Sequence, residues 1–151
     1  MIFFLGLFIL SWIWFLLFAD KSKFRLFYPS VLLAMYLACA VDFFAHHYEL
    51  WNYPAPTNQQ TFWYHLMQQF GIYPITVYFF LQWLPRRQTW NMIAVYIFAW
   101  SMFAFMIEWL AITYGFMEHL SWWNLRCSYL ADWILFIIFY RHHQWRANPP
   151  R

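Results

Sequence analysis

Between Arg86-Arg87 and Gly115 the chain reads NMIAVYIFAWSMFAFMIEWLAITY, residues 91–114. One charge, Glu108, interrupts it, and it holds neither proline nor glycine, so nothing local stops a helix. The hydrocarbon of a bilayer is ~30 Å thick and takes ~20 helical residues at ~1.5 Å each to cross. A soluble helix is apolar along one stripe, whereas this one is apolar nearly all round. The stretch therefore predicts a membrane span.

Four further runs of the same kind surround it, at about 2–19, 29–45, 65–84 and 122–140. The first halts at Asp20, Lys21, Lys23 and Arg25, and the second opens at Tyr28-Pro29, where Pro29 suits a first helical turn. The third ends at Pro85-Arg86-Arg87 and contains Pro74, whose missing N–H predicts a kink. A β-barrel would need short alternating strands, which these solidly apolar runs are not. Met1 is followed by Ile2, Phe3 and Phe4 with no basic region, and no small-x-small site precedes Asp20. The first run is therefore expected to stay attached rather than be cleaved as a signal peptide. The predicted fold class is all-α, a polytopic transmembrane helical bundle of about five spans, with 1–151 forming a single integral membrane domain.

Composition removes the competing classes. Only 10% of positions carry Asp, Glu, Lys or Arg, against about a quarter in globular proteins. Aromatic residues make up 28% and hydrophobic residues 64%, more than one compact core hides, which excludes a soluble enzyme and a disordered tail. Two cysteines and three glycines exclude a disulfide scaffold and collagen-like repeats. A net charge of +3 is too small to suggest nucleic-acid binding.

Lys21, Lys23 and Arg25 lie between spans one and two, Arg86 and Arg87 between three and four, and Arg141, Arg146 and Arg151 after five. The basic residues thus alternate with the spans, which predicts cytoplasmic placement of those segments, the N-terminus outside and the C-terminus inside, in a multi-pass protein of the plasma membrane. Trp51, Trp63, Trp83, Trp90, Trp122, Trp123 and Trp145 fall near span ends, where an indole is comfortable among headgroups. The outer connection at about 46–64, with Pro54, Pro56 and Thr57-Asn58-Gln59-Gln60, is expected to lie on the outer interface. The tail Ala147-Asn148-Pro149-Pro150-Arg151 is expected to fray.

Asp42 in span two, Glu108 in span four, and Arg126 and Asp132 in span five each cost several kcal/mol in lipid unless paired or hydrated. Counting ~1.5 Å per residue puts Glu108 ~9 Å and Arg126 ~6 Å below the outer surface, which predicts a Glu108–Arg126 ion pair between neighbouring helices. The same count puts Asp42 ~5 Å and Asp132 ~15 Å down, with Asp42 and His46 on one helical face. His46, His47, Glu49, His65, Glu118 and His119 add to an outer half rich in imidazole and carboxylate. Two readings of Asp42, His46, His65, Glu108, Arg126 and Asp132 stay open: they wall an outward-facing polar cavity for a cation or small solute, or they staple helices together.

No metal is expected, because there is no H-E-x-x-H and no paired E-x-x-H, and the adjacent Glu118 and His119 would point apart on a helix. No catalytic residue and no cofactor are expected either: Ser11, Ser101, Ser121 and Ser128 lack a partnered His-Asp pattern, and Gly-rich phosphate loops are missing. Cys39 and Cys127 are expected as buried thiols. His142-His143, among arginines, are expected to meet lipid phosphates.

Phe70-Gly71-Ile72-Tyr73-Pro74, Phe79-Phe80-Leu81 with Pro85, Trp100-Ser101-Met102-Phe103, Glu108-Trp109-Leu110, Gly115-Phe116 and Trp122-Trp123-Asn124 form a recognisable series. It resembles an uncharacterised family of small polytopic membrane proteins of spore-forming Gram-positive bacteria, of the Bacillus and Clostridium type. The likeness covers about residues 60–140. It implies a polytopic helical protein of the bacterial plasma membrane, with Pro74 and Glu108 at positions of that pattern, and it implies no activity, ligand or partner.

Three functions fit these observations. The first, which needs the fewest coincidences, is a non-enzymatic structural or accessory membrane component with a link to sporulation. The second is a binder or transporter of a cation or small solute using the outward cavity, and the third a metal-dependent membrane enzyme. The expected partners are the lipid bilayer and either a second copy, as a homodimer, or another membrane protein; nucleic acid is not among them.

Overall fold

The computed structural model describes residues 2–147. Arg151 and the rest of the expected frayed tail after Ala147 lie outside the described residues. The chain forms α1 (Ile2–Phe18), a 3-10 turn (Lys21–Lys23), α2 (Phe24–His47), β1 (Trp51–Asn52) and α3 (Asn58–Met67). A π-helical turn (Gln68–Ile72), α4 (Tyr73–Gln82), α5 (Trp90–Thr113), β2 (Glu118–His119) and α6 (Leu125–Ala147) follow. Because α3, the π turn and α4 run on without a break, the described residues make five helical rods in a bundle. The two short strands pair antiparallel, with Trp51 opposite His119 and Asn52 opposite Glu118.

Helix ends follow local chemistry. Gly115 has φ +71°, and the N–H of Phe116 returns to the Ala111 carbonyl at 2.7 Å, a glycine-terminated C-cap that closes α5 where the sequence predicts. Asn124 opens α6 by accepting the N–H groups of Arg126 and Cys127 at 3.0 and 3.3 Å. Thr57 opens α3 by accepting the Gln60 N–H at 3.3 Å.

Several boundaries correct the expectation. The third rod starts at Asn58 rather than near residue 65, because the polar run from Thr57 is a helix cap and first turn, which an apolar count reads as loop. The outer connection is shorter accordingly. Pro29 lies inside α2 rather than in its first turn, since the helix already begins at Phe24. Instead of a bare kink at Pro74, a widened π turn precedes it and accommodates the ring and its missing donor. At its far end α6 continues past residue 140 to Ala147, with Arg146 favourably placed in the last turn. Cys39 is an exposed thiol and Cys127 a partly buried one.

Two helices, Lys21–His47 with its 3-10 turn and Trp90–Thr113, are long and apolar enough to cross a membrane, with mean hydropathies of 1.7 and 1.8. Only 17% of each apolar window is buried inside the protein, whereas the core helix of a soluble protein would be mostly buried. Large apolar groups face outward, among them Trp90 (77% exposed), Phe43 (73%) and Leu17 (69%). An exterior of that kind marks a surface for contact with a membrane or with another protein.

Inside, α5 packs along α6, α2 packs on α4, and α1 lies against the π turn. Phe80 is the centre of the main core, with ring centroids of Phe136 at 4.8 Å, Tyr96 at 5.3 Å and Trp100 at 6.0 Å. The Tyr96 hydroxyl donates to the Phe80 carbonyl at 2.7 Å, so the polar tip of a core ring is also satisfied. A smaller core of Phe4, Tyr53 and Tyr64 closes the end that carries the strands.

Gly71 permits the α1 contact: a Cβ there would come 2.3 and 2.7 Å from ring atoms of Phe8. Gly71→Ala is therefore expected to destabilise the protein by about 1–3 kcal/mol through overpacking. In a Phe8→Ala background the same change should instead stabilise by up to ~1 kcal/mol, the helix preference of alanine over glycine. Thermal unfolding of the four proteins in one detergent checks this reversal of sign.

Candidate functional site

The strand-bearing end of the bundle gathers most of its polar side chains. Asp42, near the C-terminal end of α2, is mostly buried, and its Oδ2 accepts His65 Nδ1 from α3 at 3.0 Å and Gln69 Nε2 from the π turn at 2.9 Å. The neighbouring Gln68 is buried and hydrogen-bonded through both its oxygen and its nitrogen. Its Oε1 accepts the hydroxyls of Tyr53 (3.1 Å) and Tyr73 (2.8 Å), and its Nε2 donates to the Tyr64 carbonyl at 3.2 Å. Burial first, then the nearby charge of Asp42, pushes the Tyr53 phenol far above its ordinary value, so this loop hydroxyl stays protonated and can donate. The Tyr53 ring also meets the His65 imidazole edge to face at 5.2 Å.

Glu108 forms the second centre. Its Oε1 accepts His119 Nε2 at 2.7 Å and Ser128 Oγ at 2.5 Å, and Trp123 Nε1 donates to Ser128 Oγ at 2.8 Å. His119 is delivered by β2, which is held to β1 by backbone pairing and extended by Leu120 N–H to the Leu50 carbonyl at 2.8 Å. Asn52 Nδ2 to Glu118 Oε1, at 3.0 Å, fastens the outside of the same bridge.

The expected Glu108–Arg126 ion pair is not formed. Among the described residues the carboxylates meet basic side chains at Lys23–Asp20, an ion pair, and at the hydrogen-bonded contacts His65–Asp42 and His119–Glu108. Arg126 is exposed, beside Ile112 and His119 at a surface hollow. The depth argument had the right level but no angle: Ser128 faces Glu108, and Arg126, two positions earlier, points to another side of α6. His46 is also exposed, and Asp42, one turn before it on α2, is met instead by His65 from another helix.

Asp132 shares the face of Ser128, one turn deeper, and is half-buried, with no hydrogen-bond partner among the described residues. It lies within electrostatic reach of Glu108, and Tyr73 within reach of Asp42, Tyr53, Glu108 and Asp132 together. Asp42 with His65 and Glu108 with Ser128 and His119 are thus two separate centres, with Tyr73 within electrostatic reach of both carboxylates, while His46 and Arg126 are exposed. Gln68, Gln69, Tyr53 and Tyr73 belong with the first. A glutamine pair just before a proline inside an apolar run was the available signal for the first two. Among the described residues no group of three or more His, Cys, Asp or Glu side chains is arranged to hold a metal ion.

At the opposite end, the Ser30 hydroxyl and His142 Nδ1 lie 2.8 Å apart, and His143 packs buried against Phe27 with its Nδ1 unbonded. Burial lowers both imidazoles below their ordinary value, aided at His142 by Arg146 and at His143 by His142. Compared with known protein families, curated proteins and solved structures, the chain matches none.

Two tests follow. His119→Ala removes one of the two donors to Glu108 and is expected to cost about 1–3 kcal/mol, the range for a buried polar group deprived of a partner. Arg126→Gln should stay within about 0.5 kcal/mol of wild type, as at ordinary surface sites. Detergent unfolding of both variants measures the contrast. For His142 and His143 the unfolded chain binds protons first as pH falls through 6.5, because the folded imidazoles titrate lower. Stability is therefore full above 6.5 and declines below it, and His143→Phe should flatten that decline in a melting series against pH.

Proposed function

We propose that this chain is a multi-pass integral protein of a bacterial plasma membrane. It crosses about five times with the N-terminus outside and the C-terminus in the cytoplasm, and serves as a non-enzymatic structural or accessory component. All five rods reach at least about 25 Å at ~1.5 Å per residue, and the alternation of basic turns supports the orientation. The link to sporulation comes from the resemblance to the spore-former family alone. One observation carries the functional reading: Asp42 and Glu108 are each met by two of the protein's own donors. Polar groups spent on one another hold helices together and leave little to offer a solute.

The solute- or cation-binding reading has one observation in its favour, namely Asp132 without a protein donor beside Glu108. For the metal-dependent enzyme, no supporting ligand group occurs among the described residues.

The protein is expected to remain in the membrane fraction through high-salt and alkaline washes and to leave it only in detergent. Recovery as a monodisperse species from detergent-free lysate would overturn the membrane reading. In proteoliposomes, cation and small-solute flux should equal that of empty vesicles for wild type and Asp132→Asn alike. A wild-type flux abolished by Asp132→Asn would put transport first.

A further inference from the structure

A cavity of about 550 Å³ opens between α1, α4 and α5. It exists because α1 packs on the third rod and α5 packs along α6, which leaves α4 as the floor of the gap between them. Its wall is almost wholly apolar, with hydroxyls only from Ser11 and Thr76. Along α4 the wall runs from Ile72 to Trp83, ~16 Å at ~1.5 Å per residue, close to half the ~30 Å of bilayer hydrocarbon.

One end of this groove is strongly basic. The Asp20 N–H donates to Gln82 Oε1 at 2.8 Å, and Gln82 Nε2 donates to the Phe18 carbonyl at 3.0 Å, clasping the end of α1 to the end of α4. Just beyond the clasp come Lys21, Lys23 and Arg25 on one side and Arg86 and Arg87 on the other, all exposed. The one carboxylate in these turns, Asp20, is met by Lys23 at 3.5 Å. Trp14 and Trp83 line the groove toward this end.

We infer that the groove between α1, α4 and α5 is a binding site for an anionic phospholipid, with an acyl chain along α4 and the headgroup phosphate among the basic turns. The inference rests on the membrane reading proposed above. A slot one leaflet long with cations at a single end matches one lipid of that leaflet. A second copy in the same orientation would instead bring its own basic turns against these, where like charges repel.

The test uses the full chain, extracted in mild detergent, stripped of lipid, and offered phosphatidylglycerol or phosphatidylcholine before native mass spectrometry. Wild type is expected to retain phosphatidylglycerol about tenfold better than phosphatidylcholine. R86Q/R87Q together should cut that preference by roughly tenfold. Ala99→Phe, which fills the groove from α5, should lower retention of both lipids while helix content and melting stay at wild-type levels. Ser11→Phe, on the opposite wall, gives the same readout if Ala99→Phe does not fold. Equal retention of the two lipids, or retention unchanged by filling the groove, would overturn the site. So would a wild-type dimer that Ala99→Phe dissociates, which would make a second copy the occupant. A protein that needs no detergent at all would show the membrane reading itself to be at fault.

Discussion

A carboxylate carried into an apolar interior by a helix must find donors there, or its helix will not stay in place. At the strand-bearing end of this protein that requirement governs the architecture. Asp42 and Glu108 sit on different helices and cannot satisfy one another, so the donors come from elsewhere: His65 and Gln69 from the third rod, His119 from a loop, and Ser128 from α6. The two-residue pairing of Trp51–Asn52 with Glu118–His119 positions a histidine as much as it joins two loops. Without it Glu108 would keep only the Ser128 hydroxyl.

The π turn is the counterpart of that bridge inside the bundle. Helix interiors offer no spare backbone donors, so a buried polar cluster needs side chains aimed inward from a position an ordinary α-turn would not give. Gln68 and Gln69 occupy the widened turn, one joining two tyrosines and the other reaching Asp42. Pro74, which cannot donate to the preceding turn, sits where the wide turn returns to α-helix. Local backbone irregularity and polar connectivity therefore occur at the same place. The two ends of the bundle differ in consequence. The strand-bearing end is joined by polar groups satisfied within the protein, and the other end by the Gln82 clasp, aromatic packing and exposed basic turns.

Much of this was legible from residue order, and the failures have specific causes. Apolar runs and their stops, such as Gly115 after α5 and Pro85-Arg86-Arg87 after α4, depend on properties each residue carries by itself, so counting along the chain finds them. The start of α3 was missed because Asn58, Gln59 and Gln60 are polar, although Thr57 ahead of them is a helix cap. The partner of Glu108 was missed for a different reason. Rise per residue gives depth but not angle, and Arg126 at a suitable depth faces away, while His119, discounted beside Glu118 as a helical neighbour pair, lies in a strand.

Residue order alone thus determined that the chain is a bundle of apolar helices with carboxylates inside several of them, because hydropathy and helix-stopping chemistry are local and nearly additive. Only the tertiary structure decided which donor meets which carboxylate, where the helix must widen, and which gap between helices stays open. Those outcomes depend on the rotation of each helix about its axis and on the path of the loops, and both are set by packing among residues far apart in the chain.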